Sequence, residues 1–352
     1  MIYNRPEYWL MKNTELMEPY LTFSSPSSFT LKVNDATKHW DGTLEYSTDA
    51  SAWSTWDGTT TLSSATSGSD NVLYLRGTGN TVITGYGRNY RWVLTGSDIA
   101  CIGNIENLLD CATVKAGNHP TMASYCYYSM FRGCTGIIQA PALPATTLAN
   151  DCYHSMFNGC TALTQAPALP ATTLAPSCYD GMFNGCTALA QAPALPTTTL
   201  ADYCYNQMFQ NCTSLTQAPA LPATTLANDC YHSMFYGCTS LTQAPSLPAT
   251  TLADNCYYRM LSGCIALIQA PALPATTLAN DCYHSMFRDS TSLKLSSTQT
   301  GEYTVAYRIP ITGTGTAATN ALNNMFTSTG GTFTGAPEIN TTYYLSNTNT
   351  VV

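Results

Sequence analysis

Thirteen cysteines fall in two interleaved series that hold register through half the chain. Cys126, Cys152, Cys178, Cys204, Cys230, Cys256 and Cys282 recur every 26 residues without slippage. Cys134, Cys160, Cys186, Cys212, Cys238 and Cys264 follow eight residues behind, and Ser290 closes that second series. A strict period over seven copies with no insertion means that each unit is one turn of a solenoid stacked on its neighbours.

The unit parses physically. Residues 151–176 read DCYHSMFNGCTALTQAPALPATTLAP. Asp151, Asp229 and Asp281, with Asp202 and Asp254 one place earlier, occupy a position suited to a helix N-cap. A short helix such as 152–158 is predicted to follow. It would end at Gly133, Gly159, Gly185, Gly237 and Gly263, or at Asn211 and Asp289, residue types that tolerate a left-handed backbone. Cys152 and Met156, like Tyr153 and Phe157, are i, i+4 neighbours, so one helix face would point inward with the Tyr hydroxyl at its rim. Residues 161–166 alternate and suit a short parallel strand, ended by Pro167 and Pro170. The Gln139, Gln165, Gln191, Gln217, Gln243 and Gln269 series is expected to form a side-chain amide ladder along those strands.

This unit resembles the BspA-type leucine-rich repeats, in which a Leu-Pro turn leads to a small helix, an aromatic-x-Gly-Cys turn and a Leu-containing strand. The matching residues are Leu169-Pro170, Met182-Phe183-Asn184-Gly185-Cys186 and Leu189, and the likeness covers about residues 120–294. It departs from the common pattern in its longer unit and in Ala-Pro where many members carry Ile-rich strands. Repeats of this type look like those of gut Bacteroidetes and their phages, and the resemblance implies surface recognition or adhesion without catalysis.

The flanks have another character. Residues 1–98 carry short Thr/Ser-rich runs (28–33, 44–47, 72–76) between Asp-Gly, Gly-Ser and Gly-Asn turns, which predicts an all-β, sandwich-like domain for attachment. Residues 99–125 are expected to cap the first coil, and 126–294 form the solenoid. Within 295–352 the pattern drops out and returns faintly at Met325-Phe326 and Ala336-Pro337, which suggests an insertion around 295–322, a degenerate last coil and a C-terminal cap. The expected fold class is therefore a repeat solenoid of leucine-rich-repeat type, a short strand plus a short helix per coil, behind an N-terminal β domain.

Composition narrows the function. The net charge is −8 and only 10% of residues are charged, so the basic patch of a nucleic-acid binder is missing. No apolar run reaches the ~18–20 residues of a membrane span, and the first nineteen residues lack the pattern of an export signal. Cysteine spacings of 8 and 18 do not suit zinc, whose ligand pairs lie two to four apart. A strict ladder offers each cysteine two equal neighbours, which favours buried thiols over disulfides.

Catalytic signatures are absent: there is no nucleophile elbow and no P-loop. No glutamate lies between Asn107 and Thr300. Five of the six repeat aspartates are explained by capping, leaving Asp180. His154, His232 and His284 share one repeat position with Tyr128, Asp180, Asn206 and Tyr258, a spread that reads as exposed and free of packing.

The expectation is a non-enzymatic recognition protein without metal or cofactor, most simply a phage virion fibre or receptor-binding protein assembled in the host cytoplasm. The alternatives are a bacterial surface adhesin and a purely structural virion fibre, with a glycan-cutting tail spike behind them. The partners would be a host surface glycan or protein, other virion proteins through the N-terminal domain, and further copies in a homo-oligomer. Candidate contact residues sit two and one places before the repeat Cys and two, three and six after it. They include Tyr128, Arg132, His154, Asn206, Gln207, His232, Tyr236, Tyr258, Arg259, His284 and Arg288.

Overall fold

A computed structural model describes residues 20–87 and 89–352. The first nineteen residues, read above for an export signal and counted in the 1–98 region, lie outside the described residues.

The N-terminal part is built from β1 (Leu21–Ser25), β2 (Thr30–Val33), β3 (Thr43–Ser47), β4 (Ser54–Trp56), β5 (Leu62–Ser63), β6 (Ala65–Ser67), β7 (Asp70–Thr78), β8 (Trp92–Thr95) and β9 (Ile99–Ile102). One sheet runs β9-β1-β7-β3-β4, with β6 beside β7; a second runs β5-β2-β8. Alternate residues of β1 and β2 are buried, as a sheet with one wet face requires. The rings of Trp56 and Trp92, one from each sheet, meet edge to face at 5.3 Å.

The first sheet does not stop at residue 98. Strand β9 pairs in parallel with β10 (Ile137–Gln139), which belongs to the first repeat, so a single sheet joins the N-terminal part to the solenoid. Helix α1 (Asn107–Lys115) follows β9 and packs on β7. A Cβ at Gly77 would collide with the Leu108 carbonyl, so the approach needs glycine.

Each coil then repeats the same path, but its first part is not a helix. Positive φ recurs at every fourth residue: Asp151 at 55°, Ser155 at 53° and Gly159 at 74° in one coil, and Tyr203 at 57°, Gln207 at 52° and Asn211 at 58° in another. An α-helix cannot contain such residues. Within a coil, alternate N–H groups close four-residue turns, as His154 N–H does to the Asp151 carbonyl at 3.2 Å and Met156 N–H to Tyr153 at 3.2 Å. The N–H groups between them reach the next coil: Tyr153 to Cys178 at 3.0 Å, Ser155 to Asp180 at 2.7 Å, Phe157 to Met182 at 2.9 Å.

The segment is therefore a spiral of overlapping turns in which half of the backbone donors bond locally and half bond the neighbouring coil. The aspartates correct accordingly. Asp151, Asp229 and Asp281 hold left-handed turn positions instead of N-caps. Asp202 and Asp254 accept the backbone N–H groups of Asn228 and Asn280, one coil on, at 3.0 Å each.

The strand shrinks as well. Parallel pairing between coils is a single residue wide, at Gln139↔Gln165↔Gln191↔Gln217↔Gln243↔Gln269, with further bridges such as Thr147↔Thr173. Backbones make this ladder. The Gln165, Gln191 and Gln217 side chains are exposed, and no amide-to-amide bond links neighbouring glutamines among the described residues.

The period-four spiral sets a two-in, two-out pattern. In the second coil Cys152, Tyr153, Met156, Phe157 and Cys160 are all fully buried, while Asp151, His154, Ser155, Asn158 and Gly159 face outward. Seven tyrosines from Tyr127 to Tyr283 stack with centroids 5.6–5.9 Å apart and planes within 9°. Their hydroxyls do not reach the surface, since each of these tyrosines is at most 2% exposed. Phe131, Phe157, Phe183, Phe209 and Phe235 form a second column, which Leu261 interrupts. Stacked pairs contribute about 0.5–1.5 kcal/mol each beyond burial.

Both ends are closed with the same logic. In the first coil the carbonyls of Cys126, Tyr128, Met130 and Arg132 need donors from an earlier coil. They receive them from Ile83 N–H (2.9 Å), the Thr84 hydroxyl (3.0 Å), Trp92 N–H (2.7 Å) and the Arg91 guanidinium (2.7 Å). Past the seventh coil the offset between bonded residues widens. Phe287 N–H reaches the Met325 carbonyl at 3.0 Å, 38 residues away, where earlier coils use 25. The 13-residue difference is an insertion, and the next coil stacks regardless, with Phe326 on Phe287 at 6.0 Å. β12 (Lys294–Ser296), β13 (Tyr303–Arg308), β14 (Gly330–Gly331) and β15 (Thr342–Ser346) form a small sheet over this end. β16 (Thr350–Val351) pairs in parallel with β11 (Gln269–Ala270) and continues the Gln row.

Candidate surface formed by the outward side chains of the turn spiral

The spiral decides which residues can meet a partner. Inward positions are filled by Cys, Tyr, Met and Phe apart from Leu261 and Ser290, and most of the changeable positions lie on the outer side, although Tyr128, Ser129, Ser233, Ser262 and Ser285 are buried. The residue two places after each repeat Cys forms one continuous row. Tyr86, from outside the repeats, lies against Tyr125 and Tyr128 at 5.1 and 5.6 Å. The His154 ring stacks on Tyr128 at 4.5 Å and 12°. His154 Nδ1 lies 3.5 Å from Asp151 and 4.0 Å from Asp180. Asn206 donates to Asp180 at 3.0 Å, and its carbonyl oxygen lies 3.0 Å from His232 Nδ1. His232 stacks on Tyr258 at 4.8 Å and Tyr258 on His284 at 4.7 Å. His284 Nδ1 meets Asp281 at 2.8 Å.

The structure thus brings Tyr128, His154, Asn206, His232, Tyr258 and His284 into one ladder and adds Tyr86, Asp151 and Asp180. The expectation of an exposed row free of packing is corrected. Tyr128 is 7% exposed and counts as buried, and the others are half-buried because each leans on the residue one coil away. The three histidines do not meet one another. Asp180, the aspartate left over by the capping argument, lies at the centre of the row. Burial pushes its carboxyl up to about 7, the Asn206 hydrogen bond acts the other way, and the Asp151 charge raises it further. Burial also depresses the His232 imidazole below its usual range.

Two further outward rows carry the remaining candidates. Gln207 and Arg259 hold left-handed turn positions, at φ 52° each, and the Arg259 guanidinium lies over the Tyr258 ring at 5.4 Å. Arg132, Tyr236 and Arg288 share the row six places after the Cys; Arg288 lies 3.4 Å from Asp289. All five are half-buried. Repeat spacing alone could have revealed the ladder, because residues 26 apart in a solenoid are neighbours. Tyr86 carried no such signal.

The inner side has chemistry of its own. Fourteen of the fifteen cysteines are buried thiols, and Cys111 is half-buried. The second series donates to carbonyls of the preceding coil, as Cys160 does to Phe131 and Cys186 to Phe157, both at 3.1 Å. Burial pushes these thiols up, Cys134 to about 11 and Cys212 and Cys264 to about 12. Protonated thiols inside a packed column are neither nucleophiles nor ligands. Among the described residues no three His, Cys, Asp or Glu side chains converge to hold a metal ion, and no helix is long and apolar enough to cross a membrane.

Comparison with protein-family models, with curated proteins and with solved structures finds no match to this chain.

Proposed function

We propose that the chain is a non-enzymatic recognition protein that contacts its partner through the outward rows of the turn spiral. One observation carries this reading. The coils differ most at positions that turn outward, while the inward Cys, Tyr, Met and Phe columns keep their residue types from coil to coil apart from Leu261 and Ser290. Arg132, His154, Asn206, Gln207, His232, Tyr236, Tyr258, Arg259, His284 and Arg288 remain contact candidates. Tyr128 drops out as a contact, being covered by Tyr86 and His154. The ladder restricts side-chain motion before binding, which lowers the entropy cost of association.

The partner class that suits a nearly uncharged, hydrogen-bonding surface is a host-cell glycan or protein. The setting we propose is a phage virion fibre or receptor-binding protein, attached through its N-terminal part and projecting the solenoid; a bacterial surface adhesin is the alternative. Kinship with BspA-type leucine-rich repeats belongs to the same proposal. It is supported by the buried Leu163, Leu169 and Leu189 and by the left-handed Gly before the second Cys, with a turn spiral in place of the small helix.

The experiment is binding of the purified chain to intact gut-bacterial cells and to a glycan array, beside a variant carrying Tyr236→Ala, Arg259→Ala and Arg288→Ala. Saturable binding that the variant loses supports the reading. A folded wild-type chain that binds nothing at micromolar concentration points to a structural spacer instead.

A further inference from the structure

The junction between α1 and the first repeat forms a half-open cavity of about 370 Å³ that shares no residue with the outward rows. Its walls come from Glu106, His119, Pro120 and Met122 on one side and from residues 145–149 of the first coil on the other. Ligand pockets begin at about this size. Among the described residues Glu106 is the only carboxylate of the lining, and it is 2% exposed. Burying such a charge is costly unless it is paired. Its partner is His119, whose Nδ1 lies 2.8 and 3.0 Å from the two carboxylate oxygens, while the imidazole itself is 54% exposed.

A carboxylate on Nδ1 fixes the orientation of the ring: Nδ1 carries the hydrogen toward Glu106, and Nε2 lies on the opposite edge. In active and binding sites this is how a histidine is oriented toward a ligand. The pair is more than the wall of a coil needs. Equivalent coils carry the same Ala-Thr-Thr-Leu segment, with Thr172, Thr173, Thr224 and Thr225 exposed as Thr146 and Thr147 are, but no Glu–His pair stands beside them among the described residues.

We propose that this cavity is a binding site for a neutral pyranose unit, with a ring hydroxyl hydrogen-bonded to His119 Nε2. The lining chooses the ligand class. An anion would approach the buried Glu106 carboxylate, and a cation would find both its oxygens engaged by His119. What remains is an uncharged molecule with hydroxyls and C–H faces. The hydroxyls meet His119, Thr146 and Thr147, and the C–H faces pack on Pro120, Met122, Ala145, Leu148 and Ala149. No Phe, Tyr or Trp ring lines the site among the described residues, so a single sugar unit binds weakly, in the millimolar range, and affinity for a longer glycan comes from additional contacts. The site shares no residue with the outward rows and does not rest on their function.

The test is a titration of the full chain with methyl glucoside, methyl galactoside, methyl mannoside, methyl N-acetylglucosaminide and glucuronate, read from the methyl NMR signal of Met122. At least one neutral glycoside should shift that signal saturably and glucuronate should not. Binding should weaken about tenfold in His119→Ala, the loss of one buried hydrogen bond. It should vanish in Thr146→Trp, which blocks the cavity from an exposed position and spares the core. No shift with any neutral glycoside at millimolar concentration overturns the proposal. So does equal binding by glucuronate, or by the His119→Ala variant. Failure of the cell-binding experiment on the outer rows leaves this result untouched, because neither variant lies there.

Discussion

The Ser290 hydroxyl donates to the Leu261 carbonyl at 2.7 Å, the bond that the Cys264 thiol makes one coil earlier to the Phe235 carbonyl at 3.2 Å. Ser290 is fully buried, as are Cys212, Cys238 and Cys264. The second cysteine position therefore asks for a small buried donor, and sulfur is one way to supply it. Cys212→Ser should lower stability by no more than about 1 kcal/mol, since the bond to Phe183 survives. Cys212→Ala removes the bond and leaves a small void, and should cost about 1–2 kcal/mol. Urea unfolding of the two variants checks the order; a serine variant less stable than the alanine one would refute the donor role.

Thiol chemistry gives an independent check. Burial pushes Cys178, Cys212, Cys264 and Cys282 to about 12 and Cys134 to about 11, so thiolate is scarce at pH 8 and reagents cannot reach it. A colorimetric thiol assay on the native chain should register about one group, the half-buried Cys111. All fifteen cysteines of the sequence should respond in denaturant. Rapid labelling of several thiols under native conditions would mean that the column is open.

The ladder predicts a specific pH dependence. Asp180 is held near 7 in the folded chain by burial, against about 3.9 for an unfolded aspartate. The folded state binds the extra proton, so this contribution is fully present below about pH 4 and is lost as pH rises through about 7. The loss is on the order of 2–4 kcal/mol. Asp180→Asn should therefore be more stable than wild type at pH 8 and similar at pH 4, as read from urea midpoints. Burial of neutral His232 contributes in the opposite sense, with stability lost as pH falls through its unfolded range, but equally in both chains. A wild-type chain that loses no more than Asp180→Asn between pH 4 and pH 8 contradicts the assignment.

Much of the architecture was legible in the sequence because a solenoid writes its period directly. The repeat phase, the inward Cys, Tyr, Met and Phe, and the left-handed Gly159, Asn211 and Asp289 all follow from spacing and residue type. The local conformation was harder. Cys152 with Met156, and Tyr153 with Phe157, fit i, i+4 on a helix and equally fit a spiral of period four. The discriminating residues were Cys126, Met130 and Cys134, all inward. A helix turns about 40° past alignment every four residues, so a third member eight residues on would have drifted well off the face. Ser, Asn, Asp and Gly at every fourth position were the second clue, since these types fit αL.

The ladder on the outer face was missed for a different reason. His154 and Asp180 look unrelated along the chain, yet 26 residues is one coil, and partial burial forces them to interact. The Glu106–His119 pair had no signal, because helix α1 and a short turn separate its members and no motif spacing links them.

The turn spiral itself is tested most directly at Gln207, which holds φ 52° while its N–H bonds the His232 carbonyl at 2.8 Å. In a left-handed position glycine is favoured over alanine by about 1 kcal/mol. In a helix the preference reverses by a similar amount. The measurement is the difference in unfolding free energy between Gln207→Gly and Gln207→Ala. The glycine variant should be the more stable by about 1 kcal/mol; an alanine variant that is the more stable would put Gln207 in a helix and undo the two-in, two-out surface.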